Sequence, residues 1–504
     1  GVGVVGNEVL LCHEFDYNTP STGITSVKGP TIGESQRTTQ MTWYSWFGIG
    51  AVTANNNSGC GSCGGVGYWK SRSYDINLNV ISTTDQEDVI TVFEYDTDGL
   101  VTDMIEDYGG SDERLTEYTY DATWEKVATI KRPSVYSTSQ VTTTYTWNGT
   151  YGDLTSVAQS GYDWDGTAIS RTTATYTRDS MRRVTRIDGP LTSVNDYTDH
   201  EYWTSGNGDK SYRLKKTTKR VKDSPATDLV LRYYDDWDDN GNLLEARDGN
   251  LVTTEYSYDA VGRMTERHTI IGSEETCAST TTDLCWEYTY HDNGLLEELE
   301  LPEDNVLAYT YDDGNRRTKV ERANSSGGAD IDYVSYTYNR ENVQTKVQYF
   351  TGADAETWYT EYEYDVYWRR TKTKLPDEDG GEGTDDIEFA WNDDNSLLSR
   401  TDARDNVTTY SYDGLGRMSG VNLPGIGVSG DDYTYTYEDV GYLEQITDPE
   451  SHDNDYVYDD FGNVRKVTTV DSGTYIFTYD LAGNVTQRTH TGLDTVDYEY
   501  DNLG

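Results

Sequence analysis

A nine-residue motif recurs along most of this sequence and constrains the fold more than any other feature. It reads Tyr-x-Tyr-Asp-x-x-Gly-Arg/Asn followed by an apolar residue, and YSYDAVGRM at residues 256–264 is a clear copy. Seventeen copies lie between residue 93 and the end of the chain, and SYDINLNVI at residues 73–81 is a possible eighteenth. The spacing between second aromatic positions is 21 residues in six cases and is longer by 4 to 13 residues elsewhere. A constant minimum spacing indicates an array of one structural unit with loops of variable length.

Each copy of the motif predicts a β-hairpin. Tyr256 and Tyr258 are two residues apart, so both side chains lie on one face of a strand. Asp259 can hydrogen-bond its own downstream backbone and Gly262 can adopt a positive φ, which indicates a tight turn before a return strand that begins at Arg263. The same positions in another clear copy are Tyr410, Tyr412, Asp413, Gly416 and Arg417.

The array predicts an all-β protein with essentially no helix. A lone hairpin is marginal in water, so the hairpins are expected to pair edge to edge into one long antiparallel sheet of roughly 35 strands. Because each strand pair adds right-handed twist, so large a sheet should coil into a spiral, hollow shell or tube. Residues 71–504 form this array, whereas the Gly- and Cys-containing residues 1–70 are expected to form an N-terminal cap or assembly segment.

Composition narrows the classes of partner. The chain of 504 residues carries 89 Asp and Glu against 40 Lys and Arg, a formal charge of −49, which excludes a nucleic acid held by charge. No apolar stretch approaches the roughly 18 residues that span a bilayer. The 44 Tyr and 12 Trp indicate order, since disordered polyelectrolytes have few aromatic residues.

The repeated unit, with a Pro-Asp/Glu element about ten residues before it, resembles the RHS/YD-repeat family over about residues 72–504. That family includes bacterial RHS proteins, the C component of Tc toxins, wall-associated proteins and teneurins. The resemblance implies a β-sheet that spirals into a hollow shell, secreted or exposed at the cell surface. In the toxin branch, it implies a shell that encloses a C-terminal polypeptide.

The sequence departs from the toxin branch, and this departure shapes the functional hypothesis. That branch closes its shell with a plug that contains an Asp-Pro-x-Gly-Leu-like motif, whereas Asp448-Pro449 is followed here by Glu450-Ser451 and the sequence stops within a repeat. We therefore expect a non-enzymatic extracellular structural protein whose YD-repeat wall self-associates head-to-tail into a surface fibre or tube. An encapsulating shell fragment of an RHS/Tc-type toxin is the first alternative, with an enclosed polypeptide as partner. A cell-surface adhesion or glycan-binding module is the second.

The five cysteines predict disulfides. Cys277 and Cys285 bracket a long insertion between repeats, where a disulfide would staple a loop that has little core of its own. Two of Cys12, Cys60 and Cys63 are expected to form a second disulfide, which is favoured over a zinc site because a second well-spaced pair of ligands is missing.

Other candidate sites are weaker. The first half of an EF-hand loop is imitated by Asp236, Asp238 and Asn240, but Arg247 stands where the loop needs a bidentate Glu. We therefore expect no cofactor beyond weakly bound Ca²⁺ or other divalent cations. No nucleophile, base and orienting group can be named, which predicts no catalytic residue. Sequons for glycosylation in a secreted protein occur at Asn56, Asn148, Asn324, Asn406 and Asn484.

Overall fold

In the computed structural model, the described residues are 71–85, 87–192, 195–223, 226–271, 283–302, 305–324, 332–339, 343–350, 358–365, 367–376, 382–425 and 431–500. Within residues 1–70, the structure describes the backbone of six strands.

The described elements are β-strands, together with one 3-10 turn at Gly208–Lys210. In chain order the strands are β1 (Val4–Val5), β2 (Glu8–Val9), β3 (Glu14–Tyr17), β4 (Ile24–Ile32), β5 (Ser35–Trp46), β6 (Ile49–Asn55), β7 (Ser71–Tyr74), β8 (Val80–Thr84), β9 (Ile90–Tyr95), β10 (Val101–Glu106), β11 (Arg114–Tyr120), β12 (Val127–Pro133), β13 (Gln140–Trp147), β14 (Leu154–Tyr162), β15 (Ala168–Arg178), β16 (Val184–Asp188), β17 (Thr198–Tyr202), β18 (Leu214–Asp223), β19 (Ala226–Trp237), β20 (Leu243–Asp248), β21 (Thr253–Tyr258), β22 (Met264–Ile270), β23 (Leu284–Tyr290), β24 (Leu296–Glu300), β25 (Asn305–Tyr311), β26 (Arg317–Asn324), β27 (Asp332–Tyr338), β28 (Gln344–Phe350), β29 (Trp358–Tyr364), β30 (Arg370–Pro376), β31 (Glu382–Trp391), β32 (Leu397–Thr401), β33 (Val407–Tyr412), β34 (Met418–Asn422), β35 (Tyr433–Tyr437), β36 (Leu443–Thr447), β37 (Asp453–Tyr458), β38 (Val464–Thr469), β39 (Gly473–Tyr479), β40 (Val485–His490) and β41 (Val496–Asp497).

From β3 onward, each strand pairs antiparallel with the next strand in the chain, which confirms the expected single antiparallel sheet. Strands β3–β6 join the later strands of this sheet through one pairing, Ala54 with Ser71, whereas β1 and β2 form a separate two-stranded sheet. Among the described pairings none connects β3 with β41, so the described sheet is not a closed barrel.

The turn of the repeat explains the Asp-x-x-Gly sequence. Asp259 N donates to Arg263 O at 2.9 Å and Gly262 N donates to Asp259 O at 3.0 Å. Gly262 has φ +84, and the strand register shifts between Ser257 and Tyr258, which is typical of a type I turn closed by a glycine bulge. The carboxylate Oδ1 of Asp259 accepts from the backbone N–H groups of Val261 and Arg263, at 3.0 and 2.9 Å.

Two side chains of each clear repeat fasten its hairpin to the next one. The hydroxyl of Tyr290 donates to the carbonyl of Met264, the residue opposite Tyr258 in the preceding hairpin, at 2.7 Å. Tyr437 contacts Met418 in the same way at 2.7 Å. The motif arginine adds a second link, because Arg263 binds Asp259 at 2.6 Å while its guanidinium lies 4.5 Å from the ring centre of Tyr290.

The sheet coils until its end overlaps its beginning. Asp112 precedes β11 and contacts Arg417, which precedes β34, at 3.0 Å. Asp163 precedes β15 and contacts Arg465 in β38. Both contacts join elements 23 strands apart, so one turn of the spiral contains 23 strands.

The spiral lacks a packed centre. In the described part of the chain, the buried hydrophobic side chains are Tyr197, Ala246, Val347 and Val421. The accessible surface is 29398 Å², whereas a compact monomer of 56.8 kDa would expose roughly 19,000 Å². This excess is expected of a curved single-layer wall and confirms the predicted all-β spiral.

Candidate functional site at the seam of the spiral

The most specific polar contacts lie where the second turn of the spiral meets the first. We call this contact line the inter-turn seam. It consists of three connecting loops of the first turn, residues 107–113, 134–139 and 163–167, and of four repeat turns above them, residues 413–417, 438–442, 459–463 and 480–484. The rim of repeat turns thus lies on the rim of connecting loops.

Asp460 is the centre of the seam. Its Oδ2 accepts from Ser134 Oγ at 2.8 Å and from Tyr162 N at 2.6 Å, and its Oδ1 accepts from Val135 N at 2.8 Å. The backbone N–H of Asp460 donates in turn to Tyr162 O at 2.9 Å. With 6 % of its surface exposed, this carboxylate is buried and is satisfied by donors from a segment about 300 residues earlier in the chain.

Arginine contacts flank Asp460 on both sides. Arg465 donates through Nε to Oδ1 of Asp163 at 3.0 Å, and Asp163 is 6 % exposed. Arg417 contributes one guanidinium nitrogen to Asp112 while its Nε binds its own turn residue Asp413 at 2.6 Å. The pair of Arg465 with the buried Asp163 fixes the geometry here, because the loss of Arg465 would leave an uncompensated charge.

Arg171 makes both a hydrogen bond and a cation–π contact across the seam. Its Nη1 donates to the carbonyl of Leu481 at 3.3 Å, and its guanidinium lies 4.6 Å from the ring centre of Phe461. The seam therefore combines charged, backbone and aromatic contacts.

Two cavities lie along the seam. The smaller, of about 280 Å³, is lined by apolar and aromatic side chains that include Ile130, Tyr145, Tyr442 and Phe461, and by polar side chains that include Arg132 and Asp460. The larger, of about 580 Å³, is lined by six carboxylates, Asp85, Glu87, Glu106, Asp107, Asp394 and Asp413.

The electrostatics of turn carboxylates differ inside and outside the seam. Away from the seam, a backbone hydrogen bond from Arg263 lowers the pKa of Asp259, although burial acts in the opposite direction. At the seam, burial raises the pKa of Glu438 to about 7, and the neighbouring charges of Glu444, Asp439 and Asp460 raise it further. Burial also raises the pKa of Asp85, with the charge of Asp394 from the other turn acting in the same direction.

The repeat-defining residues predicted from the sequence occupy the hairpin turns and the strands beside them. Asp413 repeats the geometry of Asp259, because its Oδ1 accepts from Leu415 N and Arg417 N at 3.0 and 2.8 Å. Gly416 has φ +74. Tyr412 donates to Leu397 O at 3.0 Å, whereas Tyr256 accepts a hydrogen bond from Arg232 at 2.8 Å.

The weak cation candidates lie at one repeat turn. Oδ1 and Oδ2 of Asp238 accept from the backbone and side-chain nitrogens of Asn242, at 2.7 and 2.8 Å, and Asp236 lies 3.4 Å from Lys210. In the part of the chain that the structure describes, no three His, Cys, Asp or Glu side chains converge as a metal ion would require. The Asp238 carboxylate thus caps its turn, and cation binding at Asp236, Asp238 and Asn240 stays a prediction.

The predicted disulfides and sequons fall partly within the described residues. Cys285 is disulfide-bonded, whereas Cys277, Cys12, Cys60 and Cys63 lie outside the described residues, so the pairings stay predictions.

Asn148 accepts hydrogen bonds from Thr150 N and Tyr151 N within its turn. Nδ2 of Asn406 and of Asn484 donates to the aspartate that opens the same turn. Asn324 ends β26, Asn56 lies outside the described residues, and glycosylation stays a prediction.

Sequence reasoning missed Asp460 and Glu438. Asp460 occupies a variable position of the motif, where Asp313 stands in another copy, so its importance depends on which loop lies against it. Glu438 carried a usable signal, because it replaces the motif aspartate in YTYEDVGYL. A buried histidine was also missed: His268 lies 3.3 Å from Asp283, at the base of the insertion that contains Cys277.

Comparisons with known proteins agree with this fold. Residues 360–504 match the family model described as Teneurin YD-shell, and residues 237–270 match the RHS Repeat model. No curated protein matches the sequence significantly. No helix within the described ranges is long and apolar enough to cross a membrane.

Among solved structures, the similar ones contain Tc toxin chains. A crystal structure of TcdB2-TccC3-Cdc42 has 12% identity and a TM-score of 0.39, with 92% of this chain and 31% of that chain covered. TcdB2-TccC3 without its hypervariable C-terminal region has 12% identity and a TM-score of 0.34, with 95% and 32% covered. A mutant Tc holotoxin pore of Photorhabdus luminescens has 12% identity and a TM-score of 0.33, with 93% and 30% covered. The present chain thus spans about a third of the length of these chains. Over residues 237–270 and 360–504, these two matches confirm the resemblance to the RHS/YD-repeat family.

Proposed function

We propose that this chain is a non-enzymatic wall segment of a hollow YD-repeat shell that encloses another polypeptide. The observation that supports this proposal most directly is the inter-turn seam, in which Asp460 binds the first turn through four hydrogen bonds. A wall whose successive turns bind each other can separate an interior from the surrounding solvent.

The dimensions of the spiral favour an extended polypeptide as the enclosed partner. With 23 strands per turn and a strand spacing of about 4.8 Å, the perimeter is about 110 Å and the diameter about 35 Å. Side chains on the inner face would leave a bore of roughly 25 Å. A folded domain of 100 residues is about 34 Å across, so the bore admits an extended chain more readily than such a domain.

A head-to-tail fibre is the competing proposal for the same wall, since a sheet that is not a closed barrel can add a strand of another subunit at its edge. The inter-turn seam favours the shell, because it uses the repeat turns of residues 413–484 for contacts within one chain. We propose an extracellular or cell-surface location for either assembly. Glycan binding by the aromatic faces is the least supported alternative, because many tyrosine hydroxyls bond to neighbouring strands, as Tyr290 and Tyr437 do.

Negative-stain electron microscopy of the native, unfragmented material tests the proposal. The shell predicts discrete hollow particles, and limited proteolysis of the same particles should leave a non-repeat polypeptide intact until the wall is unfolded. Long filaments with a regular axial repeat would overturn the shell in favour of the fibre. Hollow particles without a protected polypeptide would contradict the enclosed partner.

A further inference from the structure

We propose that Glu438 makes the inter-turn seam a pH-sensitive closure, which is tight in mildly acidic solution and loosens as the solution becomes alkaline. This inference rests on the proposed function, because a closure has a role only if the wall encloses something. It concerns one repeat turn, residues 438–442, in which the motif aspartate is replaced by glutamate.

The replacement removes the usual capping of the turn. Glu438 keeps the backbone pattern of the motif, since its N–H donates to Tyr442 O at 2.9 Å and its carbonyl accepts from Gly441 N at 2.7 Å. Its longer side chain, however, accepts no hydrogen bond from the amides of the turn, in contrast to Asp413 and Asp459. The buried Oε2 of Glu438 has no hydrogen-bond donor among the described residues.

The turn that carries Glu438 lies against the first turn of the spiral. Arg114 approaches Gly441, and Val440 and Tyr442 share the 280 Å³ cavity with Ile130 and Arg132. The repeat turn that carries this uncapped carboxylate therefore lies at the contact between two turns of the spiral.

Carboxylates dominate the charges around Glu438. Asp439 and Glu444 belong to the same hairpin, and Asp460 lies on the neighbouring repeat turn beside Asp459. The titratable tyrosines near Glu438 are Tyr442 and Tyr458. The cations that approach the repeat turn of residues 438–442 are Arg114 and Arg132, from the first turn of the spiral, and Arg417, from the preceding repeat. A charged Glu438 is thus repelled by neighbouring carboxylates and lacks a donor at Oε2.

The direction of the pH dependence follows from linkage. Burial and the neighbouring carboxylates raise the pKa of Glu438 from 4.5 to about 7. Because the closed seam binds this proton more tightly than the open one, closure is favoured at low pH and is weakened as pH rises from 4.5 through 7. Between pH 6 and pH 8, the closing equilibrium changes by at most about tenfold, the value that is reached when the whole shift is lost on opening.

Hydrogen exchange of the whole chain tests the inference. The backbone amides of Val135 and Tyr162 donate to Asp460 across the seam, so their protection factors report closure. After correction for intrinsic exchange, we expect these factors to fall from pH 6 to pH 8, by up to about tenfold. Glu438→Gln should keep the protection at its acidic level throughout. Glu438→Asp should also flatten the profile, because aspartate restores the cap.

A matched control separates the seam from general titration. Glu245, in β20, also has a raised pKa, caused by burial and by the charges of Asp235 and Glu255, but it lies away from the seam. Glu245→Gln should therefore leave the pH profile of Val135 and Tyr162 unchanged. A profile that stays pH-dependent in Glu438→Gln, or is flat in the unmodified chain, would overturn the inference. Either result would leave the proposed shell to be judged by the particles and their protected polypeptide.

Discussion

The overlapping sectors of the spiral and its middle sector use the same repeat but are held in different ways. In the overlapping sectors, around β11–β15 and β33–β40, buried groups such as Asp460 and Asp163 bind the other turn of the spiral. In the middle sector, β17–β31, partly exposed ion pairs join neighbouring strands, for example Lys374 with Glu363 at 2.9 Å. Other pairs of this kind are Lys346–Glu361, Lys372–Glu388, Arg220–Asp228 and Arg247–Asp235.

This difference shows that the repeat stabilises the wall along the sheet, while position in the spiral decides which polar residues are buried. Exposed ion pairs contribute little to stability because water and salt screen them. Buried polar groups are strongly coupled to their partners, because a lost partner leaves an unsatisfied group. Variants at matched positions in the two sectors therefore test whether the seam is a distinct interface.

The largest effect is expected from Asp460→Ala. The substitution removes the acceptor of Ser134 Oγ, Val135 N and Tyr162 N in a buried place. We expect a loss of about 4 kcal/mol of unfolding free energy, measured by urea denaturation followed through tryptophan fluorescence. Asp313→Ala changes the same motif position at an exposed site and should alter stability by less than about 0.5 kcal/mol. Equal effects of the two variants would contradict the seam as a specific interface.

Arg465→Met should have the next largest effect. It leaves the buried Asp163 without its cation, and we expect a loss of about 3 kcal/mol. Arg182→Met is the control, because Arg182 is 52% exposed in its pair with Asp153, and this variant should lose much less stability than Arg465→Met. A double-mutant cycle with Asp163→Asn measures the interaction energy between Arg465 and Asp163 directly. Additive effects of the two substitutions would show that the pair does not contribute to stability.

Tyrosine hydroxyls should matter equally in both sectors. Tyr290→Phe in the middle sector and Tyr437→Phe in the overlapping sector each remove one hydrogen bond of 2.7 Å to a strand carbonyl. Each should lower the unfolding free energy by about 1 kcal/mol in the same denaturation assay. A clear difference between the two variants would mean that the seam also alters the contacts within the sheet.

The smallest effect is expected from Lys372→Met. Lys372 contacts Asp386 at 2.7 Å and Glu388 at 3.0 Å on a partly exposed face, and we expect a loss of about 0.5 kcal/mol in low salt. Repeating the denaturation in 1 M NaCl should remove this effect, because the Debye length falls to about 3 Å. The effect of Arg465→Met should persist in the same salt, and its disappearance would place that pair among the screened surface pairs.

Hairpins, strand order and turn geometry could be predicted from the sequence because they depend on residues close together in the chain. The Tyr-x-Tyr alternation fixes a strand face, and the carboxylate of Asp259 with the positive φ of Gly262 fixes the turn within five residues. Even an unfavourable residue does not abolish the turn, since Trp368 takes the glycine position with φ 64.

The seam could not be predicted in the same way. Asp460 and Asp313 occupy the same variable position of the motif. Ser134 and Val135 bind Asp460, whereas Asp313 is exposed, and no local sequence pattern distinguishes the two aspartates. Glu438 differs from the motif by one methylene group, which identifies an unusual turn but not its burial.

The sequence by itself determined the repeated hairpin, its aromatic face and the single antiparallel sheet, because these follow from contacts between neighbouring segments. Only the tertiary structure decided that β34 returns to β11 after 23 strands and that Asp460 is therefore buried. It also decided that burial, together with nearby carboxylates, raises the pKa of Glu438 to about 7. The physical reason is that small twists add up over many strand pairs, so the register between turns depends on the whole sheet and not on any one repeat.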